Sequence, residues 1–323
     1  MDLYHEMKKS GATKTEFLRK AAHIGGIYVP RFYNYVYKED GTIKNIEVTD
    51  GAPETVKKRI IKEFDKVYYP DNFVVPFTEI VHDRVSVEVL RGCIRGCRFC
   101  QAGFIYRPFR EKSTDTIYNE TKCLCENTGY DEVSLASLST SDHSDIDGML
   151  SKLIDYTAAE RVNLSLPSLR MDNFSEELLE KIKKVRKSGL TFAAEGGTQR
   201  LRDVINKNVS EEEIMNTCRI AFEGGYSTVK LYFMMGLPTE TDEDIDGIAK
   251  ICRRLKDLYY EKKHKRGLNI SVSCAVFVPK PCSPFQWEAQ ITPEEYLRRV
   301  NLLRSSITAK NVVYNWHDAE TSL

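Results

Sequence analysis

The chain has no charge of one sign in excess. Lys plus Arg and Asp plus Glu each number 47, so the formal net charge is zero. A strong global pull toward nucleic acid or membrane is not indicated, and any basic surface is a local patch. The N-terminal stretch MDLYHEMKKSGATKTEFLRK is polar and lacks the apolar core of a signal peptide. The longest strand-like apolar run, residues 270–278, is far too short to span a bilayer. No low-complexity segment interrupts the chain. Nine cysteines without an export signal fit a reducing cytoplasm and argue against a disulfide framework.

What is present is concentrated in residues 85–110, VSVEVLRGCIRGCRFCQAGFIYRPFR. Cys93, Cys97 and Cys100 follow directly on an apolar run, and Gly92 and Gly96 loosen the backbone around them. Three thiolates on one loop hold three corners of a metal cluster and leave one iron open, and an open metal position is where chemistry happens. A structural zinc site wants a fourth ligand, and no nearby His or Cys completes one at a familiar spacing. Cys123 and Cys125, in a helical pattern further on, are the nearest further thiols. Zinc and ordinary buried thiols stand as the bland alternatives.

The 323 residues are ample for two domains, or for one barrel with an extension. Residues 1–84 read as an N-terminal extension or linker. It holds short amphipathic helices over 1–24, a hairpin over 27–48, a helix over 54–64 and the Pro-punctuated segment VYYPDNFVVPF. From residue 85 a strand–helix alternation repeats six times. The strands are 85–90, 132–138, 162–166, 190–194, 228–235 and 270–278. The helices are 115–127, 142–159, 175–187, 211–223, 242–261 and 293–309. Ser210 with Glu213 forms a capping box, Pro293 stands in a first helical turn, and Gly189 and Gly224 stop two helices. A seventh strand-like run, VVYNW, starts near the end. Such alternation predicts a parallel sheet with right-handed crossovers, an α/β fold closing as a partial (β/α)6 barrel over residues 85–320. Chemistry then belongs at the carboxyl ends of the strands. Those ends carry Ser137–Ser139, Arg170, Glu195, and Gly236–Leu237 before Thr239 and Glu240. Lys230 and Tyr232 lie on the fifth strand.

The full CxxxCxxC, with Gly92, Gly96 and Phe99 and a strand before it, resembles the signature of the radical SAM superfamily. The runs SLASLSTSD, LPSLR, AEGGTQRLRDVINK and KLYFMMGLPTET resemble an uncharacterised group within it that usually carries an upstream cobalamin-binding domain. The barrel is also similar to those of tRNA methylthiotransferases and coproporphyrinogen dehydrogenases. The resemblance implies a 4Fe–4S cluster on Cys93, Cys97 and Cys100, with S-adenosylmethionine bound at its open iron. Phe99 would shield the cluster from water. Arg91, Arg95 and Arg98 either complement its charge or are solvated loop arginines.

The superfamily's Gly-Gly-Glu after the second strand is missing, and Ser137 and Ser139 stand in its place. Glu195 would hold ribose hydroxyls or the methionine ammonium. Arg170 and Lys230 would bind a carboxylate or orient Glu195. Gly236 and Leu237 would bring bare backbone against the adenine. An ordinary salt-bridge network is the competing reading of these charges. Residues 281–285, PCSPF, depart from the expected His-Thr-Pro-Phe at Cys282.

The implied activity is reductive cleavage of S-adenosylmethionine to a 5′-deoxyadenosyl radical, then hydrogen abstraction from an unknown substrate. A flavodoxin- or ferredoxin-type protein would supply the electron. Tyr106, Arg107, Phe109, Arg110 and the basic run 262–266 would suit an RNA, although solvated faces explain them as well. Residues 1–84 look like the linker that follows a cobalamin-binding domain, so cobalamin would enter only through a domain not in this chain; Ala21 stands where a D-x-H-x-x-G motif needs Asp, and His23 reads as an ordinary helix-end residue. The abrupt ending AETSL suggests part of a longer protein. The alternatives are a cluster-binding scaffold that turns nothing over, and an RNA-modifying methyl- or methylthio-transfer enzyme.

Overall fold

Two short helices open the chain, α1 (Asp2–Lys9) and α2 (Lys14–Ala22). The start of α2 is set by a reciprocal cap: the Glu16 amide donates to Thr13 Oγ1, and the Thr13 amide donates to the Glu16 carboxylate. His23 is the residue that closes this helix. Strands β1 (Tyr33–Tyr37) and β2 (Ile43–Val48) follow as an antiparallel hairpin. Ala22, Val29, Phe32 and Tyr33 form a small core beneath them. The helix expected over 54–64 is absent, and the chain there is irregular. Its apolar residues Ile60 and Ile61 are exposed, and a short helix with no face to bury is marginal in water.

The computed structural model describes residues 1–78, 80–166, 170–171, 176–185, 190–261 and 267–321. Gly189, residues 167–169, the basic run 262–266 and the last two residues lie outside the described residues. Two compact units are distinguished, residues 1–63 and 64–323. Among the described residues no helix is long and apolar enough to cross a membrane.

In the second unit Phe64 is buried and opens a 3₁₀ turn, Phe64–Lys66. The barrel elements then run in order. They are β3 (Val85–Glu88), β4 (Leu90–Arg91), α3 (Ala102–Ile105), β5 (Arg110–Glu111), α4 (Thr114–Thr128), β6 (Glu132–Ala136), α5 (Ile146–Glu160), β7 (Asn163–Ser165) and α6 (Glu176–Val185). They continue with β8 (Leu190–Glu195), α7 (Gln199–Val204), α8 (Glu211–Glu223), β9 (Thr228–Met235), α9 (Asp242–Glu261), β10 (Asn269–Val276), α10 (Pro293–Ser306) and β11 (Val312–Trp316). Strands β3, β6 and β7 form one parallel sheet. Strands β8, β9, β10 and β11 form a second, also parallel. The VVYNW run is the seventh parallel strand, paired with β10.

The two faces of these strands differ in kind. On β9, Val229, Leu231, Phe233 and Met235 are buried in the main apolar core, while Lys230, Tyr232 and Met234 are half-buried on the other face. Register sets Lys230 between Thr191 and Ser271, and Tyr232 between Ala193 and Ser273. On this face the long side chains of Lys230 and Tyr232 are flanked by small neighbours, Thr191 and Ser271, Ala193 and Ser273. A fully packed barrel would fill it with branched apolar side chains.

Helix α7 was not anticipated, because its six residues carry no periodic apolar signal. The Thr198 hydroxyl caps it by accepting the Leu201 amide at 3.2 Å, and donates to the Asp244 carboxylate at the start of α9. Backbone meets backbone beside that contact. A Cβ at Gly197 would lie 2.1 Å from Asp244 O and 2.7 Å from Ile248 N, so only glycine fits. Gly197→Ala is expected to cost about 1–3 kcal/mol of unfolding free energy, the range for overpacking. A urea titration with an unchanged midpoint would refute the close approach.

Candidate functional site

The cysteine loop leaves the first parallel strand through Gly92, whose φ of +91° belongs to the left-handed side of backbone space. A side chain there would collide with the chain returning overhead, since its Cβ would lie 2.8 Å from Tyr106 O and 2.9 Å from Pro108 O. Cys93 and Cys100 are half-buried and Cys97 is buried. The Arg95 amide points at Cys93 Sγ and the Gly103 amide at Cys100 Sγ, each at 3.4 Å. Amide hydrogens aimed at sulfur favour the thiolate and tune a bound cluster. Burial pushes the Cys97 thiol up. The charges of Lys207 and Arg170 pull it down, and the neighbouring Cys100 and Cys93 push it further up. The three thiols are thus close enough to feel one another.

Among the described residues, no three His, Cys, Asp or Glu side chains are gathered tightly enough to hold a single metal ion. A four-iron cubane is larger than one ion and takes its thiolates at wider spacing. The N–H···S donors, the two cations beside Cys97 and three thiols on one loop fit such an anionic group. Cys123 and Cys125 do not join the loop. Cys123 Sγ lies against Asp71 O at 3.7 Å, and Cys125 is buried in the core, its thiol pushed up to about 11 by burial.

Apolar packing anchors the third cysteine. Phe99 is partly buried against Leu201, Ile205, Leu237, Phe277 and Phe285, so Phe99 and Leu237 share one cluster. The loop arginines all have partners. Arg91 forks onto Glu88, Arg95 pairs with Asp142, and Arg98 donates to Val204 O. Arg107 lies over the Phe104 ring and donates to Arg95 O, and Arg110 donates to Tyr106 O and Pro108 O.

The loop after β6 supplies the serines. Ser137 and Thr140 share a hydroxyl hydrogen bond of 2.7 Å. Ser139 is buried and its Oγ has no hydrogen-bond partner of good geometry, although it lies near enough to Asp142 to favour that carboxylate. A buried hydroxyl without a partner is costly unless something else satisfies it, and a bound polar ligand would do so. Burial pushes the Asp142 carboxyl up, but Arg95, Ser139 and Arg170 hold it below its ordinary value.

The Arg170 amide donates to Ser141 Oγ, and its guanidinium donates to Lys207 O at 3.2 Å. Lys207 Nζ meets Glu195 at 3.2 Å, with both side chains largely buried. Glu195 itself has φ +68°, at a bulge that ends its pairing with β9. Arg95, Asp142, Ser141, Arg170, Lys207 and Glu195 therefore form one connected polar chain. Lys230 stands apart from it, as the third residue of β9, with its ammonium 4.7 Å from the Tyr232 ring centroid. The cation on Glu195 is Lys207, which sequence reasoning passed over. The signal was faint: the Asn206–Lys207–Asn208 run has left-handed backbone at both asparagines.

Gly236 and Leu237 open a turn that the chain closes on itself. The Gly236 amide donates to the Glu240 carboxylate at 2.6 Å, and Arg299 pairs with the same group. Glu240 is thus the brace of the Gly-Leu-Pro turn. Burial pushes its carboxyl up to about 7, against the pull of Gly236 and Arg299. Cys282 is exposed, with φ +63°, in the loop after β10.

The family model described as Radical SAM superfamily matches residues 87–252. An uncharacterized protein of Methanocaldococcus jannaschii is 35% identical over 202 residues, 62% of this chain and 42% of that protein. A tRNA-2-methylthio-N(6)-dimethylallyladenosine synthase of Pelotomaculum thermopropionicum is 24% identical over 183 residues, 54% of this chain and 40% of the relative. The chain spans less than half the length of either. Among solved structures, the radical S-adenosylmethionine methyltransferase TsrM of Kitasatospora setae, with tryptophan and a SAM analogue bound, aligns with a TM-score of 0.50 at 13% identity. The alignment covers 64% of this chain and 38% of that one, and the likeness is one of fold alone.

Asp142 is the residue whose charge braces the cysteine loop through Arg95. Its folded pKa is lowered, so its stabilisation is present above the ordinary value of 3.8 and is lost as pH falls through the folded value. Asp142→Asn is expected to cost about 1.5–3 kcal/mol at neutral pH, the range for hydrogen bonds to charged groups. It should also flatten the acid limb of the stability profile. Chemical denaturation across pH reads both, and superimposable profiles would count against the brace.

Proposed function

The chain belongs to the radical SAM superfamily, and from that membership we propose that residues 85–320 are the catalytic barrel of an enzyme that cleaves S-adenosylmethionine reductively and abstracts hydrogen from a substrate. The observation that carries this reading is the cysteine loop at the carboxyl end of the first parallel strand, its sulfurs met by amide hydrogens and cations. When bound, the cluster and S-adenosylmethionine supply an electron and a cleavable sulfonium, the source of a 5′-deoxyadenosyl radical.

The protein's own residues position and shield. Cys93, Cys97 and Cys100 hold the cluster, and Phe99 keeps water from it. The buried Ser139 hydroxyl, beside Asp142, would meet the methionine end of the ligand, with Ser137 beside it in the same loop. Glu195 takes ribose hydroxyls or the ammonium, held in place by Lys207. Arg170 faces the ligand carboxylate. Gly236 and Leu237 present a braced turn to the adenine. Lys230 and Tyr232, lower on the polar face, are placed to meet substrate. Residues 1–84 form the extension, and any cobalamin would be carried by a domain outside residues 1–323.

The reductant is a flavodoxin- or ferredoxin-type protein in the cytoplasm. A second reading, RNA modification by methyl or methylthio transfer, is favoured by the similarity to the tRNA-modifying relative.

Anaerobic reconstitution with iron and sulfide, then addition of S-adenosylmethionine and dithionite, tests the proposal. The expected product is 5′-deoxyadenosine, with none from Cys97→Ala. Ser139→Ala and Glu195→Gln should each weaken S-adenosylmethionine binding roughly tenfold, about 1.4 kcal/mol. A four-iron cluster that leaves S-adenosylmethionine intact would replace the enzyme with a scaffold. Zinc bound in place of any cluster would sink the reading altogether.

A further inference from the structure

Four consecutive residues at the end of helix α7 reach the cysteine loop, Glu195 and Arg170. Val204 O accepts from the Arg98 guanidinium, and Ile205 O accepts the Arg98 amide at 2.9 Å. Asn206 Nδ2 donates to Gly96 O at 2.9 Å. Lys207 pairs with Glu195 through Nζ and accepts from Arg170 through its carbonyl. A second loop works from the other side. The Phe285 amide donates to Arg98 O at 3.1 Å, and Gln101 Nε2 donates to Pro281 O at 3.0 Å. Both backbone groups of Arg98, the residue after Cys97, are therefore tied to other strands' loops. Gln101, the residue after Cys100, is tied as well.

Ordering a loop around a metal costs conformational entropy, and a loop ordered beforehand avoids that cost on binding. We propose that the cysteine loop takes its cluster-binding shape before iron arrives, with Asn206 as the positioning residue that holds it. Gly96 is part of the device. A Cβ there would lie 2.9 Å from Asn206 Nδ2, so the amide reaches the carbonyl because no side chain stands between them. Asn206 sits at φ +52°, a region that asparagine and glycine tolerate. Asn206→Gly therefore removes the side-chain amide without straining the backbone. The same four residues link the cysteine loop to Glu195, so the staple sets the distance between that loop and the Glu195 carboxylate.

The consequence for the cluster rests on the radical SAM reading; the geometry of the staple does not. The first test is hydrogen exchange on the full chain without iron. The Arg98 amide is expected to exchange far more slowly than an open-loop amide, and Asn206→Gly is expected to speed it while the far-ultraviolet circular dichroism stays unchanged. In the reconstituted protein, Asn206→Gly should release iron to a chelator roughly tenfold faster, the scale for groups that orient metal ligands. It should also broaden the electron paramagnetic resonance of the reduced cluster. An Arg98 amide that exchanges at the open-loop rate in the wild-type apoprotein overturns the proposal. So does a variant equal to wild type in exchange and iron release. If the wild-type chain assembles no cluster, the superfamily reading fails separately, and exchange in the apoprotein still decides the staple.

Discussion

Each parallel pair, from β3 with β6 to β10 with β11, brings two carboxyl ends to the same side of its sheet. Hydrogen bonding between parallel strands permits no other arrangement, and each crossover must run back along a helix. The loops that carry Cys93, Ser139, Glu195 and Gly236 all leave such carboxyl ends. On β9 one face is buried in the apolar core, and the other carries Lys230 and Tyr232. Thr191, Lys230 and Ser271 sit side by side there because register, not propensity, puts them together.

Electrostatics then organises the end that carries the thiols. Three thiolates and a cluster would be strongly anionic, and the protein meets them with Arg170, Lys207 and amide hydrogens. Those cations are themselves held by acids or carbonyls. Lys207 is paired with Glu195, and Arg95 with Asp142. A buried cation left unpaired would cost several kcal/mol, so the network has to be continuous. Ser139 is held less firmly: its buried hydroxyl lies beside the Asp142 carboxylate without a hydrogen bond of good geometry.

Much of this was legible in the residues. The cysteine spacing, the strand–helix alternation and the capping box at Ser210 are local patterns, and each element they announce from residue 85 onward is present. The helix expected over 54–64 failed because periodicity says nothing about whether a face finds a partner. Helix α7 was missed for the opposite reason: it is short and aperiodic, and the Thr198–Asp244 contact stabilises it from 46 residues away. The Gly-Leu-Pro-Thr-Glu turn was recognised as a motif, but the role of its glutamate as an internal brace needed Gly236 and Arg299 in view.

The sequence by itself determined the α/β class, the order of the strands and the loop that carries three closely spaced thiols. These follow from side-chain periodicity and from thiol chemistry, which act within a few residues. Only the tertiary structure decided which charges meet. Glu195 took Lys207, 12 residues on, and left Lys230 to the strand face. Asp142 found Arg95 at a separation of 47 residues, and Asn206 found Gly96 at 110. Such partners share no local pattern. They are brought together when loops from different strands are forced to one end, and the cost of burying a lone charge or carbonyl then selects which of them pair.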